Sequence, residues 1–361
     1  MEDEAALAAA RRVAAQVLEP GASRAEREGV PRATIDALAA AGLLAIVAPP
    51  ALGGVSAGAA RDVAEVLAGA GPDAWFVWTQ HHMPVSLLTA TANAELRERL
   101  LPQLCSTTLA AVAFSHLRRP QPGVTAARTP AGWRIDGSVP WLTGWGVADV
   151  LALGSLTDTG EVMFALLPLG ADAPSGLRPT APLLLASMQG TRTVGLRLDG
   201  VTVPASAVVL QQPAVQWRAA DAARAAHVVP ATFGIARAAL DGLRAAGGAA
   251  GAAGGAAGAA GAAGAVELAD SLAGALDQVR ERAYRLIDQV PAGECLDERI
   301  ALRAEALRLT LQATAAGVAA QGGKGMSAEH PAQRLARAAL FMLVQAQTPE
   351  LRTATLALLG P

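Results

Sequence analysis

The sequence predicts a mainly α-helical protein with a β-rich middle, and three observations carry that prediction. Apolar residues recur at helical spacing from the N-terminus to about residue 112, and again from about residue 215. Between them, the runs AAVAFS, GWRIDGSVPWLTG, ADVLALGSL, VMFALLPL and TVGLRLDGVTVP lean toward strand and are separated by Gly, Pro and Asp. Over 361 residues, 52% are hydrophobic and 17% charged, enough to fill two or three packing units and too apolar for wholesale disorder.

Taken in order, Leu7, Val13, Val17 and Leu18 form a first helical stripe. Ile35, Leu38 and Leu43 form a second, which Pro49-Pro50 stops. Residues 52–58, LGGVSAG, read as a turn, and helical stretches follow at Val63–Leu67, Trp75–Leu88 and Ala94–Leu104, with Pro84 starting or kinking a helix. Five or six strands over the next hundred residues suit a small barrel or sandwich. Leu268, Leu272, Leu276 and Val279 then share one helical stripe, and Ile300–Ala319 and Ala332–Leu343 repeat at the same spacing. Long helices with short connections predict a bundle.

Composition narrows the function classes. The formal net charge is −2, so no basic field is available to grip nucleic acid or anionic lipid, and neither is expected as a partner. Lys324 is the one lysine among the 29 basic residues. Cys105 and Cys295 show no CxxC spacing, which points to neither a disulfide framework nor zinc. His81 and His82 are adjacent and point about 100° apart on a helix, so they cannot chelate one ion, and no metal is expected. The N-terminus is acidic and amphipathic, unlike a signal peptide, and no run of about 18 residues lacks charge or a breaker. The expectation is a cytoplasmic protein with no membrane partner. No nucleophile elbow, phosphate loop or Rossmann glycine pattern is visible.

One segment stands apart. Residues 245–265 contain only alanine and glycine. Their eight glycines cost on the order of 8 kcal/mol relative to alanine in a helix, which predicts a frayed or poorly ordered helix.

Several strings in this order resemble the acyl-CoA dehydrogenase family of flavoproteins. They are ELRERLLPQL, GWRIDGSVPWLTGWGVADVLALGS, TVGLRLDGVTVPASAVV, FGIARAALDGL and QGGKGMSAEHPAQRLARAALFML, and they run from about residue 95 to 360. The resemblance implies an N-terminal helical domain over residues 1–112, a β-barrel over 113–213 and a C-terminal four-helix bundle over 214–361. It implies FAD between barrel and bundle, and assembly as a homodimer or homotetramer. A glutamate would remove the α proton of an acyl thioester, acidified by hydrogen bonds to its carbonyl from backbone and flavin, as the β hydride passes to the flavin.

By the same resemblance, Trp141 and Thr143 fall on a W-I-T string that lines the flavin. Ser115 falls on a threonine of a flavin loop that is altered here to FSHLRRPQPG. His116 replaces that loop's glutamate and reads either as a surface histidine or as a titratable group facing the flavin. Trp145 is either a pocket wall or barrel packing. Gly322, Gly323 and Gly325 match a G-G-x-G turn that admits the cofactor's adenosine half, and Thr348 matches the threonine of an E-G-T string.

The departures matter equally. The usual glutamate position falls on Ala346 and its alternative on Arg224, neither of which abstracts a proton. Asp221 and Glu350 lie nearby, either recruited as bases or solvated surface carboxylates. The family's Arg-Phe-Gly and Gln set, which grips FAD across a subunit interface, has no match. The Ala/Gly tract occupies its place, inside what the resemblance makes the first long bundle helix. Three functions follow: an FAD-dependent oxidoreductase acting on a thioester of CoA or a carrier protein, a flavin-dependent monooxygenase on the same scaffold, or a non-catalytic subunit of a heteromeric dehydrogenase.

Overall fold

The computed structural model describes residues 1–119, 121–253 and 256–360, with the side chains of 249–260 and 262 outside the description. Helices occupy the chain to Leu104: α1 (Asp3–Val13), α2 (Glu19–Glu28), α3 (Arg32–Ala40), α4 (Ala57–Ala70), α5 (Pro72–Thr79), α6 (His82–Ala90) and α7 (Ala94–Leu104). Strands follow as β1 (Ala110–Ala113), β2 (Val124–Thr129), β3 (Gly132–Leu142), β4 (Val150–Thr157), β5 (Glu161–Pro168), β6 (Leu177–Pro179), β7 (Val194–Val203) and β8 (Val208–Pro213). The chain then returns to helix as α8 (Ala214–Ala225), α9 (Pro230–Ala253), α10 (Ala256–Gln289), α11 (Leu296–Ala320), α12 (Pro331–Met342) and α13 (Pro349–Leu359). Two compact units result, one of Met1–Val63, Asp73–Leu185 and Gln189–Arg218, the other of Ala64–Pro72, Ala186–Met188 and Ala219–Pro361.

In the first unit the strands join one sheet in the order β6-β7-β3-β2-β4-β5-β8, with β1 parallel to β4. Eight strands exceed the five or six expected, because β2 alternates small and polar residues and β6 has three residues. The middle strands are buried on both faces. Leu151, Leu153, Met163 and Ala165 point into one core with Ile135, Val139, Leu196 and Val201, so the sheet curls around them. Their neighbours Val150, Ala152, Val162 and Phe164 point the opposite way, onto Val85, Leu88, Leu96, Leu101 and Trp217. Continuous apolar runs are what a sheet covered on both faces requires.

Two polar fixtures hold the helices of this unit in place. Arg32 donates from Nη1 to both carboxylate oxygens of Asp149, at 2.7 and 2.8 Å. His81 is fully buried: Nδ1 accepts from the Ala110 amide at 2.9 Å, which leaves Nε2–H to donate to the Leu104 carbonyl at 3.0 Å. Burial pushes its pKa down to about 4, and burial beside His81 pushes His82 to about 3.

The second unit is organised by Glu65 in α4. Its carboxylate is 4% exposed and accepts from Arg237 Nη1 at 2.6 Å, Arg280 Nε at 2.7 Å and Tyr284 Oη at 2.6 Å. The helices can come this close because Gly234 carries no side chain: a Cβ there would lie 2.0 Å from the Glu65 carbonyl oxygen. Burial raises the Glu65 carboxyl above its ordinary value, while Tyr284 and the two arginines pull it the other way.

The Ala/Gly tract differs from expectation in two ways. It supplies the end of α9 and the start of α10 rather than the interior of one helix, and the chain is helical through Ala253 and from Ala256. Residues 254–255 lie outside the described residues, so the expected fraying is not addressed there. The two helices run antiparallel, with Arg237–Asp277 and Arg244–Asp270 as rungs. Tertiary pairing of this kind overrides a poor intrinsic propensity. The stripe of α10 also shifts: Leu268 is exposed, while Ala269, Leu276 and Ala283 are buried at heptad spacing. Among the described residues, no helix is long and apolar enough to cross a membrane.

Glu65→Ala removes one acceptor from three donors and is expected to cost about 3 kcal/mol, read as a lower midpoint in urea unfolding. An unchanged midpoint would show that the junction carries no stability. His81 predicts a pH dependence. The unfolded chain binds more protons between its ordinary pKa of 6.5 and the folded value of about 4, so stability falls as pH drops through that window. Unfolding followed at several pH values should show a weaker dependence in His81→Asn, with His82 supplying the remainder.

Candidate functional site

In the first unit the candidate residues gather at the end of β3 and on the short 3₁₀ turn Ser115–Arg118, which packs against β3 and β4. Pro140 explains the local geometry. It has no N–H to give the ladder, and the β3–β7 register shifts between Val139 and Leu142. The bulge turns Trp141 outward, where its indole is 49% exposed. Thr143 is buried and meets Thr193 Oγ1 at 3.1 Å, which meets Thr191 Oγ1 at 2.8 Å. This hydroxyl row escapes sequence reading, although the spacing of Thr191 and Thr193 puts both on one face of an extended chain.

Ser115 Oγ is buried and has no hydrogen-bond partner. His116 beside it is fully buried, which excludes the surface reading. Its Nε2 donates to the Gly154 carbonyl at 2.8 Å, and its Nδ1 is without a partner. Burial pushes the imidazole below its ordinary pKa, with the Gly154 bond opposing, so His116 is neutral at pH 7. Trp145 packs against the inner core of the sheet, in keeping with barrel packing.

In the second unit α11 ends at Ala320 and leads into the 3₁₀ turn Gly322–Met326. Gly322 has φ +55° and nothing would meet a Cβ at Gly323, whereas one at Gly325 would lie 2.6 Å from the Val318 carbonyl oxygen. Backbone is therefore open at Gly322 and Gly323. Thr348 caps α13, its Oγ1 accepting from the Leu351 amide at 3.3 Å. Glu350 is exposed in the same first turn, and hydrogen bonds from its own amide and the Thr348 hydroxyl hold its carboxyl below the ordinary range. That is a helix-cap carboxylate, poorly suited to act as a base. Asp221 is 5% exposed on α8, so it is not a solvated surface carboxylate. Arg224 is exposed in the last turn of α8.

Ala346 stands between α12 and α13 with φ +49°, a left-handed conformation that costs a Cβ-bearing residue about 1 kcal/mol. A buried arginine that sequence reading missed is responsible. Arg303 donates from Nη2 to the Gln345 carbonyl at 2.5 Å and from Nη1 to the Ala225 and His227 carbonyls. Its signal is the i, i+4 pair Arg299 and Arg303, two cations on a buried stripe of α11 that is otherwise uncharged.

An unpartnered buried hydroxyl beside the strand that presents a half-exposed indole fits a flat heteroaromatic ring with a polar edge. Among the described residues, no group of three His, Cys, Asp or Glu side chains could hold a metal ion. Ala346→Gly relieves the left-handed strain and is expected to stabilise the protein by about 0.5–1 kcal/mol in chemical unfolding. A destabilised variant would contradict this account of the turn.

Residues 1–108 match the family model for the acyl-CoA dehydrogenase N-terminal domain. No curated protein matches in sequence. The fold is similar to butyryl-CoA dehydrogenase from Megasphaera elsdenii, with a TM-score of 0.80 at 19% identity over 99% of this chain and 97% of that one. Glutaryl-CoA dehydrogenase from Mycobacterium smegmatis gives 0.76 at 19% identity, over 99% and 94%. Dibenzothiophene monooxygenase from Paenibacillus sp. A11-2 gives 0.75 at 20%, over 97% and 95%. Its N-terminal residues match that domain, and its full length shares the fold of these proteins.

Proposed function

We propose that the protein is an FAD-dependent oxidoreductase acting on a small acyl thioester of CoA or a carrier protein, assembled from copies of itself. The observation that carries this reading is the buried, unpartnered Ser115 hydroxyl on the turn packed against the Trp141 strand. Trp141 would cover one face of the flavin ring, with Ser115 and Thr143 supplying hydrogen bonds to its edge. The open backbone at Gly322 and Gly323 would receive the adenosine half. FAD, when bound, supplies the two-electron chemistry, and the protein orients the substrate and manages its proton.

The proton is where this chain departs from the family it resembles. Alanine and arginine occupy the two glutamate positions implied by resemblance, and Glu350 is engaged as a cap. Asp221 is the buried carboxylate among the candidates, and the neutral His116 ring offers Nδ1 as an acceptor. The shortage of a base favours a second reading, a monooxygenase, in which oxygen rather than a carboxylate carries the reaction.

The purified protein is expected to show the absorbance of an oxidised flavin, bleached anaerobically by a short acyl-CoA. A colourless protein that takes up no FAD defeats both readings. Flavin that no thioester bleaches, with product made from oxygen when reduced flavin is supplied, selects the second.

A further inference from the structure

On the outer face of the sheet, one row of side chains runs against the pairing preferences of strands. Arg178 on β6 stands directly opposite Arg197 on β7, and Arg197 stands opposite Ser138 on β3. All three are exposed, while Leu196 and Leu198, on either side of Arg197, point into the inner core. Like charges directly opposite one another destabilise a sheet. A carboxylate offsets such a charge elsewhere on β3, where Asp136 pairs with Arg134 at 3.0 Å. Among the described residues, neither Arg178 nor Arg197 has an ion pair or a side-chain hydrogen bond. Asp199 is exposed two residues along β7 and does not reach Arg197.

Edge protection accounts for half of this pair. A cation on a three-residue edge strand such as β6 discourages pairing with another chain. Arg197 lies one strand in, between β6 and β3, where there is no edge to protect. Two guanidinium forks and a hydroxyl in one row, repelling each other when alone, are complementary to an anion that bridges them. The patch is two charges wide and is bounded by Asp199 and the closed Arg134–Asp136 pair. A compact dianion suits it, and an extended acidic surface would meet Asp199.

We propose that Arg178, Arg197 and Ser138 form a binding site for a phosphate monoester, the arginine forks and the serine hydroxyl donating to its oxygens. The half-exposed Trp141 lies three residues beyond Ser138 on β3, about 10 Å along the strand. The flavin and thioester reading above bears only on which ligand carries the phosphate. On that reading two ligands bring a monoester to this face, the mononucleotide form of the flavin and the 3′-phosphate of CoA.

The test uses ligand pairs that differ by that group alone, FMN with riboflavin and CoA with dephospho-CoA, and inorganic phosphate as the bare probe. Inorganic phosphate at constant ionic strength is expected to raise the melting temperature of the wild type. Calorimetry should show one phosphorylated ligand binding about tenfold more tightly than its partner, and the pair that shows it identifies the source. In Arg178→Gln and Arg197→Gln, both at exposed strand positions, the phosphate shift should vanish and the preference fall to within about twofold. Their melting temperatures without phosphate should equal or exceed that of the wild type, because the like-charge contact is gone. A wild type that phosphate does not stabilise, or variants that respond as the wild type does, overturn the site and leave the thioester reading standing. A phosphate shift lost in both variants, in a protein that binds neither flavin nor CoA, supports the site and defeats the functional reading.

Discussion

The helical unit depends on one buried carboxylate. Glu65 collects Arg237 from α9 and Arg280 and Tyr284 from α10 onto the second half of α4, at distances of 2.6–2.7 Å. A buried ion pair of this kind adds little net stability over an apolar contact, but losing a partner is expensive, which makes it a device for register. Gly234 sets how close α4 approaches, and Glu65 sets which residues meet. Phe233 packs edge-on against Tyr284 at 5.6 Å, and Arg280 lies over the same ring at 4.6 Å, so the polar junction is sheathed in aromatic surface. The alanine-rich faces of α9 and α10 have few large side chains to specify their alignment, and this cluster specifies it instead.

A comparable economy appears in the sheet. Small residues let β1 lie against β4, but an alanine-built core gives little directional information. Direction comes from polar groups placed where the elements join. His81 ties α7 to β1 through both ring nitrogens, and Arg32 ties α3 to the start of β4 through Asp149. Pro140 then breaks the β3 ladder at the one place where an aromatic ring is delivered outward. The half-exposed Trp141 is thus a consequence of backbone chemistry two residues from the end of the strand.

Much of the fold was legible in the sequence. The helix over Ala94–Leu104 has the expected bounds, and five of the eight strands coincide with apolar runs, because period and breakers are local properties. Other features depend on partners distant in sequence. The Ala/Gly tract reads as a poor helix by propensity and is helical through Ala253 and from Ala256, where α9 and α10 pair. Leu268 looks like core by type and is exposed, because Ala269, Leu276 and Ala283 fit closer against neighbouring helices. His116 read as a surface residue or a flavin-facing one, and its burial was invisible because the acceptor, Gly154, lies 38 residues away. Resemblance pointed to Trp141, Thr143 and Ser115, but the unpartnered state of Ser115 and the grip of Arg303 belong to three dimensions alone.

The loss of side chains and the retention of backbone geometry separate two kinds of constraint. At 346 an alanine carries no acid–base chemistry, yet it sits at φ +49° under the hold of a buried guanidinium. Glycine would relieve the strain of such a turn, and alanine keeps it. In the Ala/Gly tract the opposite holds: the backbone is helical through Ala253 and from Ala256, and alanine and glycine offer no side chain that could hydrogen-bond a cofactor.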